Sequence, residues 1–272
     1  MTEPCFEKEE LDRIGERRSL RAHEIFEVVR REGDEEMHRP VSSLAWSGLA
    51  AGLAIGFSVV AEAAIRARLG ADAGWAQLLG DMGYTVGFII VVVGKLQLFT
   101  ENTITPVMPF CFAPNRYNFV GLIRIWAIVF SANMVGAFLF ALFFMESGTA
   151  SEAIRMEIIS LGHHAAHGSV LDILAGGIGA GFLIASLVWM MAAQKSNAIL
   201  LIFIITYTIA IAGFSHVVAG AVEMAALWLT GEIGAGAALF GFLLPAFVGN
   251  VIGGTLLFTL IAYGQIRREV IE

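Results

Sequence analysis

The sequence predicts an all-α integral membrane protein of six transmembrane helices, built as a 3+3 inverted repeat in which two of the helices are broken. Three observations predict it. The chain is 57% apolar and only 15% charged, with a mean hydropathy of +0.74, whereas soluble domains carry about 25% charge. The charge is segregated, because residues 1–40 hold 20 of the 41 charged side chains and leave 21 for the other 232 positions. Those positions fall into six apolar runs, at about 42–66, 80–98, 118–145, 169–193, 197–229 and 236–264, and a helix crossing a bilayer takes roughly 20 such residues. The runs are continuous and do not alternate, which excludes a β-barrel.

The organisation follows from the charge. Residues 1–40 form a charged segment, 41–266 a pore domain and 267–272 a short tail. The leader's 12 acids outnumber its 8 bases and account for most of the net charge of −7, so nucleic acid is not an expected partner. Within it, residues 12–32 mix Leu20, Ile25, Val28 and Val29 with i,i+4 charges such as Glu27 and Arg31. That pattern predicts a surface helix, ended by Gly33, that covers the cytoplasmic face or contacts neighbours. Cys5 and Cys111 are too far apart to make a disulfide or metal pattern, and no metal or other cofactor is expected. No cleavable signal peptide is expected either.

An even number of spans puts both ends on one side. The leader, the turn with Arg116 and Arg124, the Lys195 turn and the tail hold 13 of the 17 bases, and the opposite loops hold Arg66, Arg68 and Arg155. The positive-inside bias makes both termini cytoplasmic. Trp46, Trp126 and Trp189 are expected at the inner interface and Trp75 and Trp228 at the outer one.

The halves repeat. Gly52-x-x-x-Gly56-Phe57 in the first span corresponds to Gly177-x-x-x-Gly181-Phe182 in the fourth, and Asn133-x-x-Gly136 in the third to Asn250-x-x-Gly253 in the sixth. Three spans per half is odd, so the second half enters the membrane the other way up, an architecture of transporters far more than of enzymes. Each motif alone is weak, since small-xxx-small spacing occurs wherever membrane helices pack closely.

Each half also contains an interruption. The stretch from Gly94 to Pro106 is too polar for continuous helix, and Thr105 before Pro106 is expected to cap a new one. In the fifth span, Ala212-Gly213-Phe214-Ser215-His216 places small residues and a histidine in an apolar run, at a separation that matches His216 to Thr100. Broken backbone at membrane depth survives where it is buried in protein or lines a watery cavity, so the two breaks should meet at a pore. Half-helices starting there would aim their positive dipole ends at an anion.

Leu98-Phe99-Thr100-x-Asn102-Thr103, Gly213-Phe214-x-His216-x-Val218-Ala219 and Gly249-Asn250-x-Ile252-Gly253-Gly254 resemble the signatures of the formate/nitrite transporter family across residues 42–264, most closely its YfdC-like branch. The resemblance implies an aquaporin-like fold, a homopentamer with one pore per protomer in a bacterial inner membrane, and passage of small monovalent weak-acid anions such as formate, nitrite or hydrosulfide. It also implies that Thr100 lies in the loop breaking the second span and that His216 is the central pore histidine. Leu98, Phe99 and Phe214 would sit near narrow apolar constrictions.

The physics agrees. A bare anion in a dry constriction costs several kcal/mol, whereas the neutral acid crosses cheaply. Histidine is the side chain best placed near neutral pH to supply or relay a proton, or to hold the anion by a hydrogen bond. The bland alternative is a histidine satisfied by backbone at the helix break.

Four positions depart from the family pattern: Gln97 stands for Glu, Gly220 for Asn and Glu101 for a small residue, and no base occupies the outer mouth near Ala165. His163, His164 and His167 lie there instead, as a pH-dependent positive funnel or as solvated loop residues. Glu223 follows His216 by two helical turns, on the same face, where an ionised acid would repel anions, so it is expected to be protonated, paired with a pore-mouth base or turned to the protomer interface. Lys95 is expected to pair with Glu101 or Glu223, to attract anions, or to stabilise the carbonyl end of the first half-helix, and Glu101 to cap.

An enzyme is not expected, because neither Gly-x-Ser-Gly nor His-Glu-x-x-His occurs. A pore for a neutral small solute, and a membrane sensor with a vestigial pore, are the alternatives. The Asn-Pro-Ala pair of water and glycerol channels is absent.

Overall fold

The computed structural model describes residues 20–70, 75–194 and 196–271, all helix and connecting loop. Residues 12–19 of the predicted leader helix, Cys5 and Lys195 lie outside them. The helices are α1 (Ala22–His38), α2 (Val41–Leu69), α3 (Ala76–Val93), α4 (Val107–Phe112), α5 (Arg116–Glu146), α6 (Glu152–Ala165), α7 (Val170–Ala193), α8 (Ala198–Ile211), α9 (Val217–Leu229) and α10 (Ala237–Glu269). Five of them, α2, α3, α5, α7 and α10, are long and apolar enough to cross a membrane, and α8 and α9 are shorter apolar helices. Large apolar side chains stand exposed along the bundle exterior, among them Phe143, Leu171, Phe240 and Ile261. That surface is one a hydrocarbon or a neighbouring copy covers.

Gly33 does not end the leader helix. It lies within α1 and is buried, packed so tightly on the Thr105 carbonyl and Pro109 ring that any Cβ would collide with them. Close packing outweighs the poor helix propensity of glycine here. Nor is α1 a bare surface helix, since it buries Ile25, Phe26 and Val29 against α4, α7 and the end of α10, and Met37 against Gly121 of α5. Its outer face carries Arg30 and Arg31 on Glu27, and the Arg30 guanidinium holds the Glu27 carboxyl down at about 2. Arg124 of α5 ties the α1–α2 turn by donating to the carbonyls of Met37 and Arg39 at 3.1 and 2.8 Å.

Two further expectations are corrected. Thr105 is not the cap of α4: a 3-10 turn over Glu101–Thr103 precedes it, Thr105 donates its hydroxyl to the Glu101 carbonyl at 3.1 Å, and Pro106 occupies the capping position. The histidines near Ala165 are not on a loop alone, because His163 and His164 end helix α6, whose Gly162 packs on Leu227. α10 widens into π-helix at Ala237–Leu243 and Ile252–Thr259. In the second stretch Thr259 donates to the Gly254 carbonyl at 2.7 Å, a side chain on a carbonyl of the widened helix, and Thr255 donates to the Thr103 carbonyl of the first break at 2.7 Å.

Candidate functional site: the meeting of two broken helices

α3 stops at Val93, and α8 stops at Ile211 before α9 restarts at Val217. Each break is closed by a residue with positive φ, Lys95 at +53° and Gly213 at +63°. Glycine takes that conformation freely, whereas a lysine there stores roughly 1 kcal/mol or more of strain.

Two buried asparagines hold the breaks, and they do it in the same way. Asn133 of α5 accepts from the Phe99 amide at 2.8 Å and donates to the carbonyls of Gly48 and Gln97 at 2.7 and 2.9 Å. Asn250 of α10 accepts from the Val217 amide at 3.0 Å and donates to those of Gly177 and Ser215 at 2.9 and 2.8 Å. One side chain therefore satisfies an amide and a carbonyl that the broken helix leaves orphaned, and ties them to a carbonyl of the neighbouring continuous helix. The contacts also set the register. Gly48 and Gly52 are the counterparts of Gly177 and Gly181, with Gly52 against the Asn133 carbonyl and Gly181 against that of Asn250. This is one turn away from the Gly52 and Gly56 pairing that the spacing suggests. Phe99 likewise matches Val217, which makes Leu98, not Thr100, the counterpart of His216.

His216 caps α9, and its Nδ1 accepts from the Ala219 amide at 3.3 Å. With Nδ1 used as acceptor, the ring hydrogen belongs on Nε2, which donates to the Thr100 hydroxyl at 2.8 Å. No other hydrogen bond from a described residue engages that hydroxyl, which leaves its own hydrogen for a further acceptor. Both residues are buried, and the Phe88 ring stands edge-on to the imidazole at 4.9 Å.

A cavity of about 250 Å³ opens above His216 toward the α6 end of the bundle. Of the predicted pore residues, Phe214, His216, Gly220 and Glu223 line it, and Thr100 joins it through the imidazole. Leu98 and Phe99 do not line it. They are buried on the far side of the break, where Phe99 stacks on Phe247 at 5.0 Å with Phe130 and Trp126 edge-on. Gln97 and Asn102 clip the loop: Asn102 donates to the Gln97 side chain at 3.0 Å, and the Gln97 amide to Ser47 at 3.0 Å. A glutamine provides that acceptor as well as the glutamate of the family pattern would. At Gly220 the space for a side chain is filled by the Phe242 ring.

Other expectations are not met by the geometry. Lys95 is exposed and makes no ion pair with a described residue, and one Glu101 carboxyl oxygen is buried without a hydrogen bond, so neither pairing nor capping is seen. Trp126, expected at the interface, donates its indole N–H to the Asn102 carbonyl at 2.8 Å and so braces the break.

Sequence reasoning missed the charged wall of the cavity. Arg66, counted only as a loop base, donates to Glu62 at 2.5 Å and Asp81 at 2.7 Å, and all three line the cavity with Tyr84. The Glu62–Arg66 pair at i,i+4 was visible within the first span, whereas Asp81 joins it only through the fold.

Comparison with known proteins places this arrangement. The family model described as "Formate/nitrite transporter" matches residues 23–264. The inner membrane protein YfdC of Escherichia coli K12 is 36% identical, over 92% of this chain and 80% of its own length. The formate channel FocA of the same strain is 27% identical, over 72% of this chain and 76% of its own. Among solved structures, a pentameric formate channel with formate bound superposes with a TM-score of 0.72 at 19% identity, covering 84% of this chain and 98% of that one.

Proposed function

Because the chain belongs to the formate/nitrite transporter family, we propose that it is a channel or transporter for small monovalent weak-acid anions of the formate, nitrite or hydrosulfide type, and not an enzyme. The observation that carries this reading is the 2.8 Å bond between Thr100 and His216, which joins the two breaks beneath the cavity. In it the solute leaves the cavity past Phe214, meets the free hydrogen of Thr100, and passes the imidazole on its way to the apolar far side. The backbone bond at Nδ1 fixes the ring as a donor toward Thr100, so the pair offers hydrogen bonds to an acceptor. Passage through the dry segment favours the neutral acid, since desolvating a bare anion is costly.

The architecture belongs to the same proposal. Six spans, with α8 and α9 together as the fifth, form two inverted halves of aquaporin-like topology, supported by the identical duties of Asn133 and Asn250. Residues 1–40 are the cytoplasmic segment, 41–266 the pore domain and 267–272 the tail, with both termini cytoplasmic in a bacterial inner membrane. The exposed apolar exterior faces lipid and four other copies in a homopentamer. Leu98, Phe99 and Phe214 serve the constrictions, while Gln97, Asn102 and Lys95 shape the first break and Gly220 leaves room for Phe242.

Reconstitution into liposomes tests this. A pH-resolved flux screen over formate, acetate, nitrite and hydrosulfide should give weak-acid flux that rises as the outer pH falls. Water or glycerol flux without weak-acid flux would replace this reading with a neutral-solute pore, and no flux of any kind with a vestigial one.

A further inference from the structure

We infer that Glu223 hands a proton to the entering anion in the cavity, two helical turns before the anion reaches His216. The inference rests on the proposed passage of weak-acid anions and deepens it by naming the donor.

α2 contributes Glu62 and Arg66 to the cavity wall, and α3 contributes Asp81 and Tyr84. His164 and His167 face the cavity from the end of α6 and the turn after it, and Asp172 from the start of α7. α5 and α10, also packed on α9, add no titratable side chain to the wall. Of the four carboxyls that described residues bring to the wall, three have partners. Glu62 and Asp81 share the Arg66 guanidinium, and Asp172 accepts from the Ser169 amide and hydroxyl, both at 2.8 Å. Glu223 is only 8% exposed, yet it hydrogen-bonds to no described residue, and its oxygens open on the cavity.

Two consequences meet at this point. Among the described residues Arg66 is the one arginine or lysine on the wall, and its Nη2 is shared by Glu62 and Asp81 while its Nε is buried without a partner, so an arriving anion meets a guanidinium already flanked by two carboxyls. An unpartnered carboxyl in a low-dielectric wall is in turn a group placed to exchange a proton with what enters. In the transfer, the O–H bond of Glu223 breaks and an O–H bond forms on formate or nitrite, or an S–H bond on hydrosulfide. The negative charge passes from solute to Glu223, and a proton from water at the cavity mouth restores the acid. The solute then continues as the neutral acid along the face shared by Glu223, Gly220 and His216.

The test uses the full-length protein in liposomes with formate as the probe. Glu223→Gln keeps shape and hydrogen-bonding capacity but has no acidic proton, and its assembly is checked by size exclusion against wild type. Near neutral pH its formate flux should fall by about 10- to 100-fold, at or below the usual contribution of a positioned acid. At about pH 4, close to the ordinary carboxylic pKa, about half of the formate arrives already protonated, and the variant should approach wild type. Glu223→Asp should retain most of the neutral-pH flux. A Glu223→Gln variant that equals or exceeds wild type near neutral pH would make Glu223 a repelling charge and overturn the inference, while leaving the pore reading intact. Absence of formate flux in wild type at every pH would overturn the pore reading itself, and this inference with it.

Discussion

His216→Phe is expected to lower formate flux in liposomes by about 10-fold, the equivalent of about 1.5 kcal/mol, the upper end of what a hydrogen bond between neutral groups contributes. Phenylalanine keeps a ring beside Phe88 but loses both the donor to Thr100 and the acceptor for the Ala219 amide. The second loss removes a helix cap, worth about 1 kcal/mol, and so mixes stability with transport. His216→Asn separates them. Asparagine is a good capping residue and can still accept from the Ala219 amide, but its side chain is too short to reach Thr100. It should fold like wild type and still lose flux. Wild-type flux in His216→Asn would reduce the imidazole to a cap, the bland reading of a histidine at a helix break.

Asn250→Ala should cost about 3 kcal/mol or more of stability and dissociate the assembly in detergent. The change leaves the Val217 amide and the Ser215 carbonyl without their partner in a buried site and cuts the tie to the Gly177 carbonyl of α7, and each orphaned group costs about 1–3 kcal/mol. Against a total stability of about 5–15 kcal/mol, that is a large fraction. Asn133→Ala removes the matching three bonds at the other break and should do comparable damage. Thermal melts followed by circular dichroism in detergent check both. A melting temperature close to wild type for either variant would mean that the breaks are held by packing alone.

How much of this was legible in the sequence depends on the range of the interaction. The apolar helices were legible because each is a local apolar run, and the breaks because polar and small residues interrupt those runs at Gly94–Pro106 and Ala212–His216. The register of the repeat was not. Gly48, Gly52 and Gly56 stand at equal spacing, so any adjacent pair fits the pattern, and only contact with the Asn133 carbonyl selects Gly48 and Gly52. Gly33 read as a helix end because propensity is local, whereas the backbone it packs against lies more than seventy residues away in the chain. The link between Thr100 and His216 was foreseen as a meeting of two breaks, but not as a hydrogen bond between non-equivalent positions. Arg66 and Asp81 come from different elements, and no sequence period brings them together. Glu223 could be seen as an intramembrane acid on the His216 face. Its lack of a partner became visible only once Arg66 was found committed elsewhere.

The claim that a hydroxyl and an imidazole act as one unit where the broken helices meet is tested most directly by a double-mutant cycle on formate flux, with Thr100→Val, His216→Asn and the pair. The account predicts strong coupling, with Thr100→Val costing flux in wild type and adding little once the imidazole is gone. Losses that simply multiply, each side chain acting without regard to the other, would contradict it.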